Sequence, residues 1–269
     1  MESIGRTVFW NVPEDGITGF YIIATFTILL FAYGFWSNIS AWAKGKDAPL
    51  LEYMDDDNVL AGKGRAAIFK MIFTGFFSAD CFTAKRVFER SKRRGIMLIG
   101  IMWSFIILFL GTVTLTLDYD LHLGLLKGYR YLVFSLILDI AGIVLLLGTG
   151  AALLRRYVFK PERILTYVED GTILILLFLT VFLGFTVEGL RIAALSPPFT
   201  DWSPGGAVFK IIFTAILGQN IDTLLFAHRL SWILHFIFAF SFISYIPFSK
   251  QFHMFAAQIT TKAASSRRY

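Results

Sequence analysis

His228-Arg-Leu-Ser-Trp-Ile-Leu-His235, the apolar run after it, and Pro247-Phe-Ser-Lys-Gln-Phe-His253 decide how this chain is read. Histidines along so apolar a segment need an explanation, because a ring nitrogen buried in hydrocarbon is costly unless something satisfies it. A haem iron satisfies it directly, since neutral imidazole is a good axial ligand. His235 and His253 stand eighteen residues apart, about five turns at ~3.6 residues per turn, so on one helix they project from nearly one face. At ~1.5 Å per residue they lie about 27 Å apart on a straight helix, with Pro247 adding a bend. That spacing puts one histidine in the outer half of a bilayer and the other at its cytoplasmic edge. His228, two turns before His235, shares the face.

The composition fits a membrane setting. The chain has 269 residues, 56% hydrophobic and 17% aromatic, with 29 phenylalanines, and a mean hydropathy of +0.66. An ordinary soluble domain of this length is far more polar. The formal charge of +6 comes from 25 Lys+Arg against 19 Asp+Glu. A nucleic-acid binder would carry that charge as a basic face on a polar fold, whereas here it sits in the gaps between apolar runs. The single cysteine, Cys81, reads as a small apolar residue. It cannot ligate an iron–sulfur cluster alone, so any cluster belongs to a partner. No removable signal sequence is expected at the N-terminus.

Five apolar runs are long enough to span, at about 16–39, 95–117, 129–154, 171–194 and 224–247, each near the ~20 residues a bilayer requires. The fold class expected is an all-α integral membrane bundle forming a single domain over 1–269. Lys and Arg crowd the gaps between spans one and two and between three and four, and follow span five. That bias puts the N-terminus outside and the C-terminus in the cytoplasm, in a multi-pass protein of the cell membrane. Residues 66–88 read as an amphipathic segment on the cytoplasmic surface or a docking helix, with a short membrane-penetrating segment as the rival. Residues 207–217 read as a short outer-face helix after the Ser-Pro-Pro and Ser-Pro-Gly-Gly turns.

Beyond the histidines on the last run, His122 lies just past span two. His122 and His228 read equally as interfacial hydrogen-bonding residues, because helix ends are easily wetted. Asp139 and Glu188 lie inside apolar runs and are expected to face the bundle, paired with arginines or lining a proton or quinone path. Arg191, three residues after Glu188, favours a local pair there. Asp118, Lys127 and Tyr131 cluster at the outer ends of spans two and three, where a quinone headgroup would meet hydrogen-bond donors.

His235, Pro247-Phe248-Ser249-Lys250 and His253 resemble the last helix of the respiratory nitrate reductase gamma subunit family, five-helix b-type cytochromes that include membrane subunits of heterodisulfide reductases. Softer matches are Trp103-Ser-Phe105, the stretch Tyr131 to Gly142, and Arg155-Arg156. The start Arg-x-x-Trp-x-x-His and the trailing Phe-Ser-Lys-x-x-His look closest to the heterodisulfide reductase type. The resemblance implies an electron conduit. Two haems b would lie between helices two and five, a quinone-like carrier (menaquinone or methanophenazine) would react near the outer haem, and a cytoplasmic iron–sulfur protein would dock inside. By position, His235 would bind the outer haem and His253 the inner one.

The chain departs from that pattern on helix two. Residues 95–103 hold no histidine where the family places ligands. Met97 or Met102 could serve as an axial ligand or be core packing, and His122 could pair with His228 or His235. One haem, two haems with an unusual ligand, or a shifted arrangement all follow from these residues. A haem-free membrane anchor for the same partner is the competing class. A small transporter fits less well, as the chain shows no internal repeat and no pair of broken helices.

Overall fold

The computed structural model describes residues 8–44, 91–159, 168–249 and Lys70, Phe88, Glu89 and Phe252. Among these residues the fold is entirely helical. The long helices are α1 (Glu14–Lys44), α2 (Lys92–Asp120), α3 (Tyr129–Tyr157), α4 (Val168–Leu195) and α6 (Ile221–Tyr245), with the short α5 (Pro204–Leu217) between α4 and α6. The five long helices are long and apolar enough to cross a membrane, matching the five expected spans. The amphipathic segment expected at 66–88, Cys81 and His253 lie outside the described residues, apart from Lys70 and Phe88.

The fifth span covers the expected residues but changes helix type before its end. The α-helix stops at Tyr245, and a single 3-10 turn, Ile246–Phe248, follows. Pro247 has no N–H to give and its ring crowds the carbonyl one turn back, and here the α-helix gives way before it. The shared face inferred for His235 and His253 therefore ends before His253 is reached.

The contacts divide the chain into two units: Met1–Tyr21 with Gly100–Leu165 and Leu174–Ala239, and Ile22–Ile99 with Thr166–Ile173 and Phe240–Tyr269. The first unit is built on small residues. A side chain at Gly111 would run into Leu138, one at Gly148 would come within 2.8 Å of Ile101, and one at Gly142 within 2.8 Å of Phe185. Helices α2, α3 and α4 thus approach closely in antiparallel order, as helices must when no hydrophobic force drives them together within lipid. Leu145, Val181 and Phe185 form the buried centre, with Ile101, Phe105, Leu108 and Phe209 packed around them.

In the second unit the Asn38 amide donates to the Gly34 carbonyl of its own helix at 2.8 Å and to the Pro247 carbonyl at 2.9 Å. A Cβ on Gly34 would fall 2.7 Å from the Pro247 ring, and the fully buried Phe252 meets the Phe35 ring edge-on at 5.5 Å. The 3-10 turn after α6 is thereby fastened to α1, with Asn38 supplying a donor to the Pro247 carbonyl.

Candidate functional site

The first unit carries three of the four histidines. His235 is half-buried on α6, and its Nδ1 lies 2.9 Å from the main-chain carbonyl oxygen of Thr180 on α4. A carbonyl can only accept, so Nδ1 carries a proton, and a neutral ring would then have its lone pair on Nε2. Metal-binding histidines are commonly oriented by such a bond from the ring's other N–H to a carbonyl. The carbonyl has two lone pairs, so it can receive the imidazole alongside its own helix bond. Gly184, one turn on, opens the space for the ring: a Cβ there would sit 3.2 Å from His235 Cε1.

These residues fit a haem by their donor chemistry. Among the described residues, no group of three or more His, Cys, Asp or Glu is arranged to hold a metal ion. A haem iron asks for only one or two protein ligands, and a half-buried imidazole with its proton fixed on Nδ1 can supply one. His253, the expected inner ligand, lies outside the described residues. Met97 is half-buried on α2 in the second unit.

His228 is 2% exposed. Its ring meets Trp10 edge-to-face at 4.7 Å. The segment bearing Trp10 is tied to α6 where the Asn11 amide donates to the Leu225 carbonyl at 2.8 Å, and Arg229 reaches Asn11 at 3.4 Å. Phe9 and Asn11 both adopt left-handed backbone, which brings the chain round. Phe9 centres an aromatic cluster with Phe20, Tyr119 and Trp232. His122, in contrast, is exposed in the loop after α2, with Nδ1 3.2 Å from the Asp120 carbonyl. It has the surroundings of an interfacial hydrogen-bonding residue.

The charged residues inside the apolar runs have definite partners. Asp139 on α3 is 7% exposed and pairs with no arginine among the described residues. Its carboxylate accepts from Ser203 Oγ at 2.8 Å, Gly205 N–H at 2.7 Å and Gly206 N–H at 3.3 Å. Those are the first amides of α5, whose leading Pro204 has none to offer, so a side chain from another helix caps α5. Negative charge at that end is favoured by the helix dipole too. Glu188 and Arg191 form the expected local pair, with Arg191 Nη2 donating to Oε1 at 2.6 Å and Nε to Oε2 at 3.2 Å.

The three residues expected at a quinone headgroup have different surroundings. The Asp118 carboxylate accepts from Leu125 N–H at 2.5 Å and Leu126 N–H at 3.3 Å, holding the turn after α2. Tyr131 lies beside the Arg191 guanidinium, and Lys127 is exposed. Beside them, the Tyr21 hydroxyl donates to Asp120 at 2.8 Å.

Sequence reading does not single out Thr180, Gly184 or Trp10. Thr180 acts through its main chain, which leaves no mark in the sequence. A glycine inside an apolar helix is the signal for Gly184, but Gly142, Gly148 and Gly189 carry the same one for helix packing.

Comparison with known proteins finds distant homologues. An EtfAB:quinone oxidoreductase of Syntrophomonas wolfei subsp. wolfei is 30% identical over 261 residues, covering 94% of this chain and 34% of that protein. A subunit of the dihydromethanophenazine:CoB--CoM heterodisulfide reductase of Methanosarcina barkeri is 25% identical over 262 residues, 90% of this chain and 89% of that one. A probable iron-sulfur-binding oxidoreductase of Bacillus subtilis, FadF, is 26% identical over 176 residues, 62% of this chain and 23% of that protein. The chain thus spans about a third of the first relative and a quarter of the third, but nearly all of the heterodisulfide reductase subunit. No family model matches the chain, and no solved structure does.

Proposed function

We propose that this chain is a membrane b-type cytochrome subunit that carries electrons between a quinone-like lipid carrier and a cytoplasmic iron–sulfur oxidoreductase of heterodisulfide reductase type. The observation that carries the reading is the His235–Thr180 bond, which orients a membrane-helix imidazole as axial ligands are oriented. The relatives supply the chemical setting: one is named for quinone, one for dihydromethanophenazine and one for iron–sulfur binding. Menaquinone and methanophenazine are the carriers this points to.

Bound haem b would supply one-electron chemistry inside a low-dielectric bundle. The chain's own residues would do the rest. His235 would hold one axial position, with His253 the candidate ligand at the cytoplasmic edge and His228 the next candidate after it. Trp10 and the aromatic cluster around Phe9 would keep water from the end of the bundle where His228 is buried. The five apolar helices would place these groups in the cell membrane, N-terminus outside.

The test is anaerobic reduction by a lipid-soluble carrier. The chain, co-purified with its partner and placed in liposomes, is mixed with reduced menaquinone or dihydrophenazine analogue and followed at the haem α band. The reading expects carrier-dependent reduction, then reoxidation through the partner. Pigment that dithionite reduces but no carrier does would contradict the conduit, and protein without pigment would leave a haem-free anchor.

A further inference from the structure

We propose that α4 is the positioning element for His235: the Thr180 carbonyl and the bare Cα of Gly184 together set the orientation of the imidazole as an axial ligand. The inference rests on the cytochrome reading and adds the residues that tune it.

Two glycines of α4 serve different ends. A Cβ on Gly189 would strike Phe209 and the Lys210 main chain within 2.8 Å, so that glycine exists to let α5 pack. A Cβ on Gly184 would have only His235 within 4 Å among the described residues, at 3.2 Å from Cε1 and 3.6 Å from Nδ1. Among the described residues, the missing side chain at 184 therefore makes room for the ring of His235.

The two contacts work as a pair. The Nδ1–H···O=C bond pins one edge of the ring to α4 at 2.9 Å. Gly184 lets the ring come close enough to make it. An added methyl would push Cε1 away by a few tenths of an ångström, because 3.2 Å is tighter than ordinary van der Waals contact. The ring would tilt, and the Nδ1 bond would lengthen. A weaker bond at Nδ1 makes Nε2 a poorer electron donor, and a tilted ring changes the ligand plane. Both alter the electronic state of a bound iron without removing its ligand. The Thr180 side chain takes no part, since its hydroxyl donates to the Leu176 carbonyl at 2.8 Å.

The full chain, purified with its partner, is compared as wild type, Gly184→Ala and Gly150→Ala. Gly150 is the control, because its Cβ would meet only a Phe178 ring atom at 3.6 Å, an ordinary contact. Pyridine haemochrome on the wild type comes first, and a chain with no haem overturns the cytochrome reading along with this inference. With haem present, Gly184→Ala should keep its pigment but shift the ferric g-values and midpoint potential of one haem. Gly150→Ala should match wild type in both. Gly184→Ala spectra and potential equal to wild type would overturn the positioning role while leaving the cytochrome intact. Pulsed EPR of the wild-type ferric haem gives a reading that needs no variant. The remote nitrogen of the axial histidine should show the quadrupole coupling of an N–H bonded to a carbonyl, and a coupling typical of an imidazole in water would overturn the role.

Discussion

The Asp139 carboxylate on α3 receives the Gly205 N–H of α5 at 2.7 Å, across sixty-six residues of sequence. A helix that opens with Pro204 followed by two glycines has no side chain of its own to cap it, and the Ser203 hydroxyl is turned to the same carboxylate. Asp139→Ala removes an acceptor for three buried donors. A lost cap costs about 1 kcal/mol, and a stranded buried donor costs about 1–3 kcal/mol more. Thermal unfolding in detergent should show Asp139→Ala well below wild type and Asp139→Asn between them, since one amide oxygen still accepts. Equal melting of all three proteins would rule out the cap as a stabilising feature.

Gly189 and Gly19 should respond oppositely to alanine. A Cβ at Gly189 would meet the main chain of α5, which cannot step aside, whereas at Gly19 nothing lies within 4 Å. Overpacking of this kind costs about 1–3 kcal/mol, while Gly19→Ala improves helix propensity by up to about 1 kcal/mol. The same unfolding assay should rank Gly19→Ala at or above wild type and Gly189→Ala below it.

The Glu188–Arg191 pair is part-buried inside a spanning helix. Removing one partner leaves a charge in a poor solvent, which costs about 3–5 kcal/mol for a buried pair and less here because both groups retain some exposure. Glu188→Gln and Arg191→Met should each destabilise the protein more than the double variant does. A double variant equal to the sum of the singles would mean the two groups do not interact.

Orientation is checked by labelling. With Cys81 replaced by alanine, a cysteine at Leu123, exposed in the turn after α2, should react with an impermeant maleimide added to intact cells. A cysteine at Val158, exposed after α3, should react only once the membrane is opened. The reverse pattern would invert the topology read from the Lys and Arg distribution.

How much of this was legible in the sequence depended on whether side chains or main chain did the work. The five spans were readable because length and apolarity alone require them. The Glu188–Arg191 pair was readable from its i, i+3 spacing. Asp139 was recognisable as a buried carboxylate, but its partners are main-chain amides more than sixty residues away, which no local pattern announces. The orientation of His235 was hidden for the same reason, since Thr180 contributes only a carbonyl. Pro247 was visible as a bend, yet the end of α-helical register at Tyr245 was not, because prolines inside membrane helices often kink without ending them.

Haem content of the purified chain, by pyridine haemochrome with reduced-minus-oxidised spectra, is the most direct measurement, made on wild type, His235→Ala and His122→Ala. The wild type should carry haem b. His235→Ala should lose one haem, because it removes the imidazole that α4 orients, and His122→Ala should lose none, because that ring is exposed in a loop. A His235→Ala protein with the full wild-type complement, or a wild type with no haem, would contradict the cytochrome.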